Sequence, residues 1–192
     1  MNQEEIMYIQ RSIDQQLLEW KQSSVHKPLL LRGARQVGKS SAIRHLGETF
    51  KHYIEVNFEK RSELKELFEK TSDVHQLAAR LGMLYNVPIE AGKTLVFLDE
   101  IQACPEAIKS LWFFKEDFPE LHVVAAGSLL EFALKELTSY GVGRIRSLFM
   151  YPLSFDEFLQ AQGKASWIEE KRKADHNHPL FEALHQELVQ QY

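Results

Sequence analysis

The chain has 192 residues, 44% hydrophobic and 26% charged, the makeup of a soluble globular domain with a substantial core. Its net charge of −4 leaves no electrostatic footprint for non-specific nucleic-acid binding. Cys104 is the single cysteine, which excludes an intrachain disulfide and suits a reducing, cytoplasmic setting. No apolar run is long enough to span a bilayer, and the polar, acidic first residues lack the features of a signal peptide.

Ile6, Ile9, Ile13, Leu17 and Trp20 recur at helical spacing with polar residues between them, predicting an amphipathic cover helix over residues 4–21. Tyr8 and Ile9 are either plain packing residues or part of an adenine pocket. Pro28-Leu29-Leu30-Leu31-Arg32 is a short apolar run, the mark of a buried parallel strand. It leads into Gly33-Ala34-Arg35-Gln36-Val37-Gly38-Lys39-Ser40, which reads G-x-x-x-x-G-K-[ST], a phosphate-binding loop. Each part has a physical purpose. The two glycines allow a tight turn and a close backbone approach to phosphate oxygens. The loop N–H groups converge into an anion nest, and the following helix, opening through Ser41, adds its positive end. Lys39 would reach the β- and γ-phosphates, and the Ser40 hydroxyl would ligate Mg²⁺. Strand, glycine loop and helix are the context this motif requires.

Tyr53 to Phe58 is β-rich and predicts a second strand. Residues 62–70 and a segment capped by Asp73 read as helices. Thr94-Leu95-Val96-Phe97-Leu98 then ends in Asp99 and Glu100. Acids at the carboxyl end of a parallel strand point into the ligand crevice. Asp99 is therefore a candidate Mg²⁺ ligand, and Glu100 a candidate group for polarising the attacking water.

Pro105 suits the first turn of a helix. Leu121 to Ala126 is a further buried strand, running into Gly127-Ser128. Ser128 is either the cap of a helix over residues 129–137 or a polar sensor between the loop and the acid strand, and both roles can coexist. Gly141-Val142-Gly143 predicts a mobile loop before a last strand, Ile145 to Tyr151. Arg144 and Arg146 are either surface ion-pair partners or phosphate contacts, in this chain or a neighbour. Ser154 and Glu157 have capping-box spacing, starting a helix that runs to about Gln162. Residues 164–179 read as a solvated linker, in which His176 and His178 are too few to predict a metal site. Leu180, Phe181, Leu184 and Leu188 form a final amphipathic stripe.

Taken in order, Leu31 to Ser40, Leu98-Asp99-Glu100-Ile101-Gln102, Gly127-Ser128, Gly143-Arg144 and Pro152-Leu153-Ser154-Phe155 with Glu157-Phe158 resemble the prokaryotic AAA+-like ATPases that carry a C-terminal domain of unknown function. The likeness runs from about Tyr8 to the end. It implies an α/β fold of three layers, a P-loop NTPase core with a parallel five-stranded sheet in the order 5-1-4-3-2. That order would bring Ser128 near the γ-phosphate. It also implies ATP and Mg²⁺ as cofactors, with hydrolysis expected. Such relatives are about twice this length, so the expected organisation is an ATPase core over residues 1–163, then a linker and the start of a helical region over 164–192. The rest of that second domain would lie beyond this chain, and self-association would be possible.

Other classes stay in view. One is a P-loop kinase acting on a small acceptor, disfavoured because an acid after the metal aspartate suits water activation. A GTPase lacks its Asn-Lys-x-Asp motif here. A nucleotide-dependent interaction or DNA-associated module would bind ATP with little turnover.

Overall fold

The computed structural model of the protein describes residues 8–24, 26–128 and 143–191. The chain divides into two compact units, Ile13–Pro152 and the combination of Met1–Ser12 with Leu153–Tyr192. The helix expected over residues 129–137 lies outside the described residues.

The larger unit is built on five strands: β1 (Leu29–Arg32), β2 (His52–Asn57), β3 (Thr94–Asp99), β4 (His122–Ala126) and β5 (Arg146–Phe149). All pair in parallel, in the order β2-β3-β4-β1-β5. This is the expected order 5-1-4-3-2 read from the other edge. Every residue of β3 and β4 is buried, as continuous apolar runs covered on both faces should be. β2 and β5 are the edges: β2 buries only Ile54 and Val56, and no residue of β5 is fully buried.

Alternate residues of each strand serve opposite faces. Leu30, Ile54, Val56, Val96, Leu98, Val123 and Ala125 share one core with α3 (Lys65–Lys70), α4 (Val74–Tyr85) and α5 (Pro105–Asp117). Leu29, Leu31, Leu95, Phe97 and Val124 have the opposite parity and are fully buried. On that face α2 (Lys39–Gly47) packs on β3 and β4, and α1 (Ile13–Gln22) packs on α2. The result is three layers, helices on a sheet on helices. Local signals behave as their chemistry dictates. The Asp73 carboxylate accepts from the N–H groups of His75 (2.9 Å) and Gln76 (3.1 Å), and Pro105 opens α5.

Two elements differ from the sequence reading. The first helix starts at Ile13, and residues 8–12 are not helical. Arg11 and Ser12 are engaged instead with the carboxylate of Glu157, which holds the chain out of a helical turn. Ile9 is 44% exposed, so its place in the apolar periodicity does not mark a buried contact.

The second difference lies in the smaller unit. Its helices are α6 (Phe155–Ala161), α7 (Ala165–Lys173) and α8 (Glu182–Gln191). Residues 164–179 read as linker in the sequence, yet Ala165–Lys173 is helical. Only Ile168 of that helix is buried, so its apolar periodicity is faint in the sequence. Ile168 joins Leu159, Leu184 and Leu188 in a small core, with Trp167 beside it. Charge adds to this: Asp156 on α6 pairs with both Lys171 and Arg172 on α7.

Glu157 is the hub of this unit. Its Oε2 accepts from the Ser154 N–H (2.8 Å) and its own N–H donates to the Ser154 hydroxyl (3.2 Å), the predicted capping box. Its Oε1 accepts from the N–H (2.7 Å) and the hydroxyl (2.9 Å) of Ser12. The Arg11 Nε lies 3.2 Å from Oε2. Burial disfavours the Glu157 charge, but the Ser12 and Ser154 donors and Arg11 outweigh it and hold the pKa at about 2, down from 4.5. A depressed carboxylate pKa stabilises the fold above the unfolded pKa and loses that contribution as pH falls through the folded one. Glu157→Gln is therefore expected to cost about 3 kcal/mol near neutral pH. The deficit relative to wild type should shrink as pH drops from about 4.5 toward about 2, as read by denaturant unfolding. A deficit independent of pH would contradict this assignment.

Candidate functional site

The parallel register aligns the carboxyl ends of the strands. Leu31 pairs with Ala126, and Ala126 with Asp99, which in turn pairs with Asn57. Everything immediately following β1, β3 and β4 therefore emerges on one edge. The crevice opens there because β4 lies between β1 and β3.

After β1 the chain turns sharply at Gly33, whose φ is +148°. A Cβ at this position would lie 2.2 Å from the Met150 carbonyl oxygen, just past β5. Gly38 takes the left-handed conformation (φ +98°) as the N-cap of α2, and Gln36 is also left-handed (φ +61°). Two left-handed turns within the loop fold it around the helix N-terminus, so its amides can face an anion. Lys39 is 9% exposed, and its Nζ donates to the carbonyls of Gly33 (3.0 Å) and Ala34 (2.6 Å). Burial lowers its pKa below the usual lysine value; the charges of Glu100 and Asp99 work against that shift, while Arg35 adds to it.

Asp99 ends β3 and is 4% exposed. Its Oδ1 accepts from the Ser40 hydroxyl at 3.1 Å and its Oδ2 from the Asn57 amide at 2.8 Å. Burial raises its pKa above the ordinary aspartate value; the Asn57 and Ser40 hydrogen bonds oppose this, and the neighbouring charges of Glu100 and Glu55 reinforce it. A buried carboxylate crowded by like charge, next to a hydroxyl oxygen, is a donor set suited to a hard divalent cation such as Mg²⁺. Asn57 is a residue that the sequence reading missed. Its Oδ1 accepts from the N–H groups of Glu59 (3.1 Å) and Lys60 (2.9 Å), which locks the side chain that orients Asp99. The available signal was an asparagine closing the strand next to the one that ends in Asp99.

Glu100 follows in the left-handed conformation (φ +51°) and opens a tight turn, Ile101–Ala103. Its Oε2 accepts from the Gln102 amide at 2.6 Å. Arg35, Gln36, Gly38, Lys39, Ser40, Ser41, Glu100 and Ser128 line one open cleft of about 740 Å³. That volume is in the range of small-molecule sites. Ser128, two residues past β4, is 6% exposed.

Arg144 does not line this cleft. Its Nε donates to Glu116 on α5 at 2.7 Å, and its guanidinium lies 5.3 Å from the Trp112 ring centroid. Arg146 pairs in register with Leu29, at the amino end of the parallel sheet. Both arginines thus sit at the edge opposite the crevice, because β5 runs parallel to β1 and carries its first residues away from the loop.

The close approach of Gly33 to β5 makes a direct prediction. Gly33→Ala should destabilise the protein by about 2 kcal/mol or more, through both the clash and the disfavoured φ. A melting temperature equal to wild type would contradict that contact.

Among the described residues no helix is long and apolar enough to cross a membrane. No curated protein matches the chain in sequence. Among solved structures, the Walker-type ATPase of Pyrococcus abyssi is similar, with a TM-score of 0.55 and 22% identity over 86% of this chain. The chain spans 59% of that protein's length. Katanin, a self-assembling protein, matches with a TM-score of 0.50 and 16% identity, over 94% of this chain and 77% of its own. At these identities the likeness carries the fold alone. The family model described as AAA domain matches residues 25–159, more than half of the chain, and the protein therefore belongs to that family.

Proposed function

We propose that the protein binds ATP with Mg²⁺ in this cleft and hydrolyses it to ADP and phosphate, using the reaction to drive or time a conformational change. The observation that carries the reading is the 3.1 Å contact between Ser40 and Asp99, which joins the phosphate loop to the acid-bearing strand across 59 residues of sequence. Glu100 and Ser128 line the same cleft.

In this reading the loop amides of Gly33 to Ser41 and the start of α2 hold the phosphates. The Lys39 ammonium exchanges its contacts with the Gly33 and Ala34 carbonyls for phosphate oxygens. Ser40 and Asp99 hold the metal, which when bound supplies charge neutralisation for the phosphate groups. Glu100 orients a water for in-line attack, accepting its proton as the oxygen–phosphorus bond forms. Ser128 offers a hydroxyl between loop and acid. The carboxylate of Glu100 is the part that a simple binding module or a small-molecule kinase would not need. Arg144, held by Glu116 and Trp112 at the opposite edge, would act on phosphate only in a neighbouring copy, and katanin's self-assembly motivates that arrangement.

Two variants test the assignment. Lys39→Ala should weaken ATP binding by at least about ten-fold, since it removes the cation facing the phosphates. Unchanged affinity in a calorimetric titration would overturn the loop's role. Glu100→Gln should retain ATP affinity within about two-fold while lowering kcat by about 100-fold or more. Full turnover by that variant would overturn the role of Glu100 as the water-orienting group.

A further inference from the structure

We propose that Gln102 is a positioning residue for Glu100, gripping one carboxylate oxygen so that the other is committed to the water. This rests on the reading of Glu100 as the water-orienting group. The motivation is a pairing that stability alone does not explain. The Gln102 Nε2 donates to Glu100 Oε2 at 2.6 Å, while the Gln102 Oε1 is buried with no hydrogen-bond partner. A buried acceptor without a donor is a net cost to the fold. The opposite amide orientation would not relieve it usefully, because it would set the oxygen against the Glu100 carboxylate. An apolar side chain would remove the cost altogether. Among the described residues, the side-chain hydrogen bond of Gln102 goes to Glu100.

The backbone gives this contact leverage. Glu100 is left-handed (φ +51°, ψ +44°), and its carbonyl accepts from the Ala103 N–H at 2.9 Å. The Cys104 N–H donates to the Ile101 carbonyl at 2.9 Å, and both Ile101 and Cys104 are buried in the main core. The turn is therefore fixed from both sides, and Gln102 projects from a rigid mount onto the carboxylate two residues before it. Gln102 itself does not line the cleft, whereas Glu100 does. It acts on the reaction only through Glu100. A carboxylate on a flexible side chain has two equivalent oxygens and several rotamers. Tethering Oε2 selects one rotamer and leaves Oε1 as the acceptor for water, which is the kind of orientation that catalysis depends on.

The test compares wild type with Gln102→Met, which fills a similar volume without polar atoms, and Gln102→Asn, which keeps the amide but is one methylene too short. Each is assayed for kcat and KM with ATP, for ATP affinity and for melting temperature. Both variants should lose about ten-fold or more in kcat, with KM and affinity within about two-fold of wild type. Gln102→Met should melt at or above the wild-type temperature, because the orphaned acceptor is gone. Added to Glu100→Gln, Gln102→Met should cause no further loss of turnover, since the two act as one unit. If Gln102→Met turns over like wild type, or lowers only the melting temperature, Gln102 is a packing residue and the proposal fails. A wild-type protein that binds ATP but releases no phosphate would instead overturn the hydrolytic reading, and this inference with it.

Discussion

The hydrogen bond between Ser40 and Asp99 depends on a constraint of sheet topology. β1 and β3 are not neighbours; β4 lies between them. The loop leaving β1 must pass over the end of β4 before its helix can meet the end of β3. That detour opens the crevice, and it sets Ser128, just past β4, on the cleft wall. Change the strand order and the loop, the acids and Ser128 no longer share an edge. The remaining features tighten the same geometry. Gly33 lets the loop leave β1 against the Met150 carbonyl. α2 is pinned to β2 by the Arg44 guanidinium, which grips Glu55 at 2.7 and 2.8 Å, while Tyr53 donates to the same carboxylate.

Charge within the site is arranged in opposition. Asp99 is buried where ionisation is disfavoured, next to Glu100 and near Glu55. Lys39 is buried where its own charge is disfavoured, and Glu100 and Asp99 counter that effect. The two acids thus support the charge on Lys39. In the proposed reading, a triphosphate with its metal would bring both a cation and anions into this arrangement.

The phosphate loop, the strands and the Asp99-Glu100 pair were legible because they are local: a motif, an apolar run and two acids at its end. The strand order was not local, and it came from a family resemblance. Asn57 carries no such local signal: its contact with Asp99 is set by the register of β2 on β3, and an isolated Asn has no periodicity to mark it. Glu157 shows the same boundary. Its capping box with Ser154 is readable from three-residue spacing, but its bonds to Ser12, 145 residues away, are not. Ala165–Lys173 was read as linker because one buried isoleucine leaves almost no amphipathic stripe. For Arg144 residue type allows either a surface ion pair or a phosphate contact, and within this chain it pairs with Glu116.

One cleft joins the phosphate loop to Asp99, suited to a metal, and to Glu100, proposed here to orient the attacking water. The most direct measurement is phosphate release by the purified protein, with ATP or GTP, in the presence of Mg²⁺ or of a chelator. The account predicts release from ATP that requires Mg²⁺ and is much slower with GTP. Release that persists without a divalent cation, or none from a protein that demonstrably binds ATP, would contradict it.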